Sequence, residues 1–412
     1  MALNYVWIGF FVIAFIVALC KLIFLGDTEI FGLMTKTLFE SGKTGAEISI
    51  GLVGVMTFWL GIMKIGEKAG MIEKFARFVS PLFSRLFPHI PPKDPAMGSV
   101  VMNFSANMLG LDNAATPIGL KAMKQLQDIN PEKDTASDAQ IMFLVLNTAG
   151  LTIIPTSVMA VRLSMGAANP ADIFIPTMIG TFISFLSGMI AVALYQRINL
   201  FRLPVLVFVG GFVALMYLLY LWMHSMPAEQ IATYTAMVGG VLIFSVIVSF
   251  LLLGFVKKIN VYDAFIEGAK DGFTTAVMII PYLVAILVGI GVFRVTGCLD
   301  FVTDGIAFVV AAMGLNTDFV PALPVGIMKT FSGGAARGLM ADLMKPENYG
   351  PDSFVGRLGC IMQGSTETTF YILALYFGSV NIKKTRYALA CGLIADVVGV
   401  IAAIIIGYIF FH

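Results

Sequence analysis

Long uncharged apolar runs limit this chain more than any other feature. Ile173 to Tyr195, Leu203 to Met223, Ile231 to Val256 and Gly272 to Phe293 hold no charged residue. Three further runs hold one each: Val6 to Leu25 (Lys21), Ile48 to Ile65 (Lys64) and Tyr387 to Phe411 (Asp396). A bilayer core takes about 20 apolar residues of helix per crossing, because only a helix or a closed barrel satisfies its own backbone in lipid. Only 12% of the 412 residues are charged, against about 25% in a soluble chain. The expectation is an all-α polytopic membrane protein, beginning with a transmembrane helix rather than a cleaved leader, since no basic n-region or small-residue cleavage site flanks the first run.

Several function classes lack raw material. A net charge of +1 argues against nucleic acid as a partner. Cys20, Cys298, Cys360 and Cys391 are far apart and read as small hydrophobes. The histidines His89, His224 and His412 avoid the polar membrane segments, so neither a zinc site nor a Ser-His pair is expected there. No Walker A sequence is present to bring ATP. The chain is read as a non-enzyme without cofactor or metal.

Four more segments are apolar at their flanks and interrupted midway by Gly, Pro, Asn, Ser and Thr: Ala96 to Lys124, Ala139 to Val161, Phe319 to Lys345 and Phe354 to Phe377. Their order repeats. The run at Ile48 is followed by an amphipathic stretch, two interrupted segments and the run at Ile173; the run at Gly272 is followed by the same series, ending at Tyr387. This divides the chain into an N-terminal helix and loop (1–45), a first repeat (46–200), two linking helices (201–260) and a second repeat (261–412). Basic residues orient the copies. Lys64, Lys68, Lys74, Arg77 and Arg85 follow the opening run of copy one, whereas Arg294 alone follows that of copy two. By the positive-inside rule the two copies run in opposite directions. An odd number of crossings per pair of interrupted segments then requires a re-entrant hairpin in each copy. The N-terminus is expected in the cytoplasm of a bacterial inner membrane and the C-terminus outside.

Inverted repeats with broken helices are the pattern of secondary transporters, whose site lies where the breaks meet. Opened backbone and helix ends present unpaired groups to a polar solute. The candidate binding residues are Asn103, Ser105, Asn107, Asp112, Asn113, Thr116, Asn147 and Thr148 in copy one. Those in copy two are Thr330, Ser332, Arg337, Gln363, Ser365, Thr366, Glu367 and Thr368. Glu367 or Asp112 would couple transport to H⁺ or Na⁺. Each charge costs roughly 2.5–3.5 kcal/mol at a helix centre. Arg337 and Glu367 are therefore expected within reach of each other or of solute, while Lys329 can snorkel from a shallower position and Asp396 can pack against a polar neighbour. Small and hydroxylated residues also glue membrane helices together, so it is their concentration at all four breaks that marks a site. Partners beyond the solute are membrane lipid and, if it assembles, a homo-oligomer.

The stretch from Phe104-Ser105-Ala106-Asn107 through Asp112-Asn113-Ala114-Ala115-Thr116-Pro117 resembles spore maturation protein A. Lys329-Thr330-Phe331-Ser332-Gly333-Gly334-Ala335-Ala336-Arg337-Gly338 and Gly364-Ser365-Thr366-Glu367-Thr368-Thr369 resemble spore maturation protein B. The resemblances extend over Gly45 to Arg197 and Tyr262 to Tyr408, so the chain looks like a fusion within the nucleoside-recognition, or gate-domain, group. That group includes concentrative nucleoside transporters, and Gln363-Gly364-Ser365-Thr366-Glu367 is similar to their hairpin Gly-Gln-Thr-Glu, with Gly364 and Ser365 intervening. The resemblance implies Gln363, Thr366 and Glu367 as ligand contacts and a small polar, nucleoside-like solute. Gly359-Cys360 faintly resembles the helix break of ferrous-iron permeases, which leaves a metal-ion permease or gated channel as one alternative and a membrane scaffold as another.

Overall fold

The computed structural model describes residues 2–91, 94–110, 112–224 and 228–412, and these are helical almost throughout. Among the described residues the one β-type contact is a single bridge between Thr135 and Lys384. The chain opens with α1 (Ala2–Leu25). A first series follows: α2 (Ile30–Lys68), α3 (Met71–Leu86), α4 (Pro95–Met108), α5 (Asp112–Asp128), α6 (Asp138–Ala149), α7 (Thr156–Ser164) and α8 (Phe174–Gln196). After α9 (Leu203–His224) and α10 (Ala228–Val256) comes a second: α11 (Val261–Val295), α12 (Cys298–Ala312), α13 (Leu323–Phe331), α14 (Gly333–Leu343), α15 (Phe354–Gly364), α16 (Thr369–Ser379) and α17 (Ala388–Phe411). Among the described residues six helices, α1, α2, α8, α10, α11 and α17, are long and apolar enough to cross a membrane. This is an all-α polytopic membrane architecture.

The opening helix of each series is longer than its apolar run. α2 starts at Ile30, so the boundary expected at residue 45 falls inside a helix. The preceding polar stretch is helix-compatible, with i,i+4 pairs Lys36–Glu40 (3.7 Å) and Lys43–Glu47 (3.6 Å) along its exposed side. α11 likewise starts at Val261 rather than Gly272, where the Asn260 side chain accepts from Asp263 N. At about 1.5 Å per residue α2 is roughly 58 Å long, near twice the hydrocarbon thickness, so it tilts or projects.

These two helices pack side by side and antiparallel: Gly45 lies against Val284, Gly61 against Phe265 and Gly272 against Met56. Glycine permits that approach, because a Cβ at Gly268 would overlap the Leu60 carbonyl and one at Gly272 the Met56 carbonyl. The closing helices pair in the same sense. Ser184 Oγ of α8 donates to Ala395 O of α17 at 3.0 Å, and the Tyr195 and Tyr387 rings stack with centroids 4.6 Å apart.

The interrupted segments take two forms. α4 and α5 reverse at Leu109-Gly110, where Gly110 has φ +73°, and Asn103 Nδ2 donates across the hairpin to Ala115 O at 2.8 Å. α13 and α14 fold against each other around Ser332, whose extended backbone (φ −157°) ends one helix and whose Oγ accepts from Ala335 N to start the next. In contrast, α6 and α7 are separated by an unwound stretch starting at Gly150 (φ +59°), and α15 and α16 by one at residues 365–368.

Candidate functional site

The two unwound stretches cross. The Glu367 N–H, freed by the end of α15, donates to Thr148 O at the end of α6 at 2.8 Å, so each break satisfies part of the other's backbone. Gly150 fits this crossing, since a Cβ there would press on Glu367. A side-chain network extends from it. Asn107 Nδ2 on the α4–α5 hairpin donates to Asn147 Oδ1 at 2.8 Å, and Tyr376 Oη of α16 reaches the same oxygen at 3.4 Å. Gln363 Nε2 donates to Gly333 O at 3.3 Å, tying the α15 break to the α13–α14 hairpin. Gln363 Oε1 is buried with no hydrogen-bond partner among the described residues.

A cavity of about 840 Å³ opens over this crossing. Of the expected residues it is lined by Asn107, Thr116, Asn147, Ser332, Arg337, Gln363, Glu367 and Thr368, together with Lys329. Lys329 Nζ lies 3.5 Å from Glu367 Oε2, and the pair is lopsided: the lysine side chain is 6% exposed, the glutamate 49%. Lys329 is therefore a buried member of the site rather than a snorkelling residue, and Arg337, expected within reach of Glu367 or of solute, lines the same cavity as both. Asn103, Ser105, Thr148, Thr330, Ser365 and Thr366 are not among the residues lining the cavity. Ser105, Thr148 and Ser365 donate to their own i−4 carbonyls, Val101 O (2.7 Å), Leu144 O (3.0 Å) and Ile361 O (2.6 Å). Asn103 holds the hairpin, Thr366 packs on Gly399 of α17, and Thr330 is half-buried on α13. The side chains of Asp112 and Asn113 lie outside the described residues.

Sequence reasoning passed over the aromatic wall. Tyr282, Phe331, Phe370, Tyr371 and Tyr376 line the cavity, and Phe331 and Phe370 stack 5.2 Å apart at 9°. A signal was present: Phe331 adjoins the Ser332 break, Phe370 adjoins Thr369, and Tyr282 follows the mid-helix Pro281. Cys360 is buried against Met344 and is absent from the lining.

Beyond the cavity, two ion-pair clusters occupy corresponding places in the two series. One joins the loop after α7 to the loop before α15. Arg162 Nη2 lies 2.9 Å from Asp172 Oδ1 and 3.0 Å from Asp352 Oδ1, and Arg162 Nη1 donates to Pro351 O at 2.7 Å. Arg357 Nε donates to Asp172 Oδ2 at 2.7 Å. The Arg162 and Asp172 side chains are 0% and 2% exposed. Burial pushes the Asp172 carboxyl up from its ordinary value, against the pull of Arg162 and then Arg357. The second cluster joins the loop before α6 to the loop after α16. Arg386 lies 2.8 Å from Asp138 with both half-exposed, Tyr387 Oη donates to Asp138 at 2.8 Å, and Lys384 lies 3.4 Å from Asp134. The Thr135 hydroxyl and then Lys384 hold the Asp134 carboxyl below its ordinary value.

Long antiparallel helices around crossed broken helices and a polar cavity define a multi-pass membrane protein with a discontinuous-helix core. The family described as Gate: Nucleoside recognition matches residues 49–165 and 276–383, and the chain belongs to it. Spore maturation protein A of Bacillus subtilis (strain 168) is 41% identical over 187 residues, covering 45% of this chain and 92% of that protein. Spore maturation protein B of the same organism is 48% identical over 161 residues, covering 39% of this chain and 88% of that protein. No solved structure matches the chain significantly.

Proposed function

We propose that the chain is a secondary transporter that carries a small polar solute across a bacterial cytoplasmic membrane by alternating access between two inverted repeats. The observation that carries this reading is the crossing of the two breaks beneath one cavity, with Glu367 N on Thr148 O and the Lys329–Glu367 pair in its wall. Unwound backbone at membrane depth is tolerated where it lines a cavity, and solute sites form at such places. A volume of about 840 Å³ is in the range of small-molecule pockets. The aromatic wall beside amides and charges favours a solute with a flat ring and hydrogen-bonding edges, in keeping with the nucleoside recognition of the family's description.

Inversion is supported by the antiparallel pairing of α2 with α11 and of α8 with α17, and by the basic loops, which put the N-terminus inside and the C-terminus outside. In that orientation α4–α5 and α13–α14 are the re-entrant hairpins, and α6–α7 and α15–α16 the broken crossings. The Arg162 cluster then closes the external side. A second cavity of about 360 Å³ shares Gly110, Thr156, Ser157 and Thr275 with the first and reaches Lys64, Glu67 and Asp271 at the cytoplasmic end of α2 and α11. This is an inward-facing arrangement, with Glu367 or Asp112 as coupling carboxylate for H⁺ or Na⁺.

Melting of the purified protein against a solute library tests the reading, because a ligand of the folded state raises stability. A hit that also drives saturable, gradient-dependent uptake into proteoliposomes supports transport. Stabilisation by none of a broad set of nucleosides and small metabolites favours a scaffold, and non-saturating flux favours a channel.

A further inference from the structure

Asp396 lies in the middle of α17 and is 3% exposed. It stands behind the cavity, at the place where α17 meets α8, α16 and the crossed breaks: its neighbour Ala395 O accepts from Ser184, Gly392 abuts Thr369 and Thr148, and Gly399 abuts Thr366 and Ser184. Asp396 Oδ2 accepts from Thr369 Oγ1 at 2.7 Å. Oδ1 is buried with no hydrogen-bond partner among the described residues, although the Thr330 hydroxyl lies beside the same carboxyl. Two charged groups face it from the elements packed around it, Lys329 on α13 and Glu367 at the α15–α16 break. Of the other elements packed on α17, α6, α8 and α16 bring the hydroxyls of Thr148, Ser184 and Thr369 to the same turns.

Two carboxyls thus face one ammonium, and Lys329 sits on Glu367. An ionised Asp396 would leave a bare oxygen and an uncompensated charge in a water-poor interior, which is the costliest arrangement available to it. A neutral carboxyl removes that charge, and the otherwise unpartnered Oδ1 can carry the proton. We infer that Asp396 is a proton-binding site coupled to the cavity: it holds one proton while Lys329 is engaged by Glu367, and releases it when a solute occupying Glu367 frees Lys329 to compensate a carboxylate at Asp396. The exchange balances, with one proton leaving Oδ1 for solvent as the ammonium changes partner. This rests on the transporter reading for its purpose, but the bound proton itself does not.

The test is infrared difference spectroscopy of the purified full-length chain, titrated between acid and alkaline pH without added solute. The parent should show a protonated-carboxyl band equivalent to one proton per chain that disappears as the pH is raised. Asp396→Asn should lack that band and melt at or above the parent temperature at neutral pH. Thr369→Ala, which removes the donor to the ionised form, should keep the band to more alkaline pH. A band unchanged in Asp396→Asn overturns the inference, as does a parent melting temperature that rises in sodium chloride but not in choline chloride, which would make this a sodium site. If Asp396→Asn does not fold, an unshifted band in Thr369→Ala overturns it equally. Failure of uptake with the band intact strikes the transporter reading alone.

Discussion

Replacing Arg162 tests the cluster assigned to the external side. Its guanidinium is wholly buried, and with Arg357 it balances Asp172 and Asp352 charge for charge. Arg162→Gln leaves two carboxylates against one guanidinium, with Asp172 unable to reach water. Removing one partner of a buried pair costs about 3–5 kcal/mol. Asp352, about one-third exposed, regains solvation, so the low end, ~3 kcal/mol, is expected. The corresponding Arg386→Gln breaks a contact whose side chains are 40% and 29% exposed, and such pairs contribute about 0.2–1 kcal/mol. Reversible unfolding in mixed micelles should therefore separate the two substitutions by roughly 2 kcal/mol or more, on those same magnitudes. Adding Asp172→Asn to Arg162→Gln restores neutrality and should recover part of the loss. Equal losses for the two arginines, or a double variant worse than the sum of its parts, would refute the charge-balance reasoning. The gating role has its own readout. Ser157 lines both cavities. Labelling of Ser157→Cys by an impermeant thiol reagent from outside, in a Cys20→Ser background, should rise when Arg162→Gln is added. Unchanged labelling would leave the cluster as a brace and not a gate.

Three further outcomes are expected. Asn316→Cys and Lys257→Cys should label from opposite sides of the membrane, and labelling from one side would sink the inverted orientation. Glu367→Gln should fold yet lose solute stabilisation, because it removes a half-exposed carboxylate from the cavity wall; melting curves with and without an identified solute decide the point. Gly268→Val should lower stability by about 1–3 kcal/mol or more by forcing α2 off α11, while Gly305→Val on α12, with open space around its Cβ position, should be close to neutral in the same unfolding assay.

What could be read from the sequence follows from which forces act locally. Apolar runs mark the spans because lipid acts on every residue of a run, and Gly, Pro and Asn mark the breaks because they release backbone that something must satisfy. Facing is a different matter. Ser105, Thr148 and Ser365 sit in the right breaks but donate to carbonyls of their own helices, and nothing in a hydroxyl's identity says whether it turns to its own helix or to a cavity. Asn107, Asn147 and Gln363 were better guides: the Asn107 and Asn147 amides pair across elements, and Gln363 reaches from α15 to Gly333. Charge pairing was the hardest to foresee, since Lys329 and Arg337 sit on either side of one break and only the fold brings Lys329 to Glu367. The Arg162 cluster was more legible than it looked. Arg162 follows an interrupted segment, Asp172 precedes an apolar run, and Asp352 and Arg357 open the next interrupted segment but one; Asp138 likewise opens an interrupted segment, and Lys384 and Arg386 lie between another and an apolar run. Each cluster ties the loop before one broken helix to the loop after the other, so matching charges across the two series, and not only within each, finds both clusters.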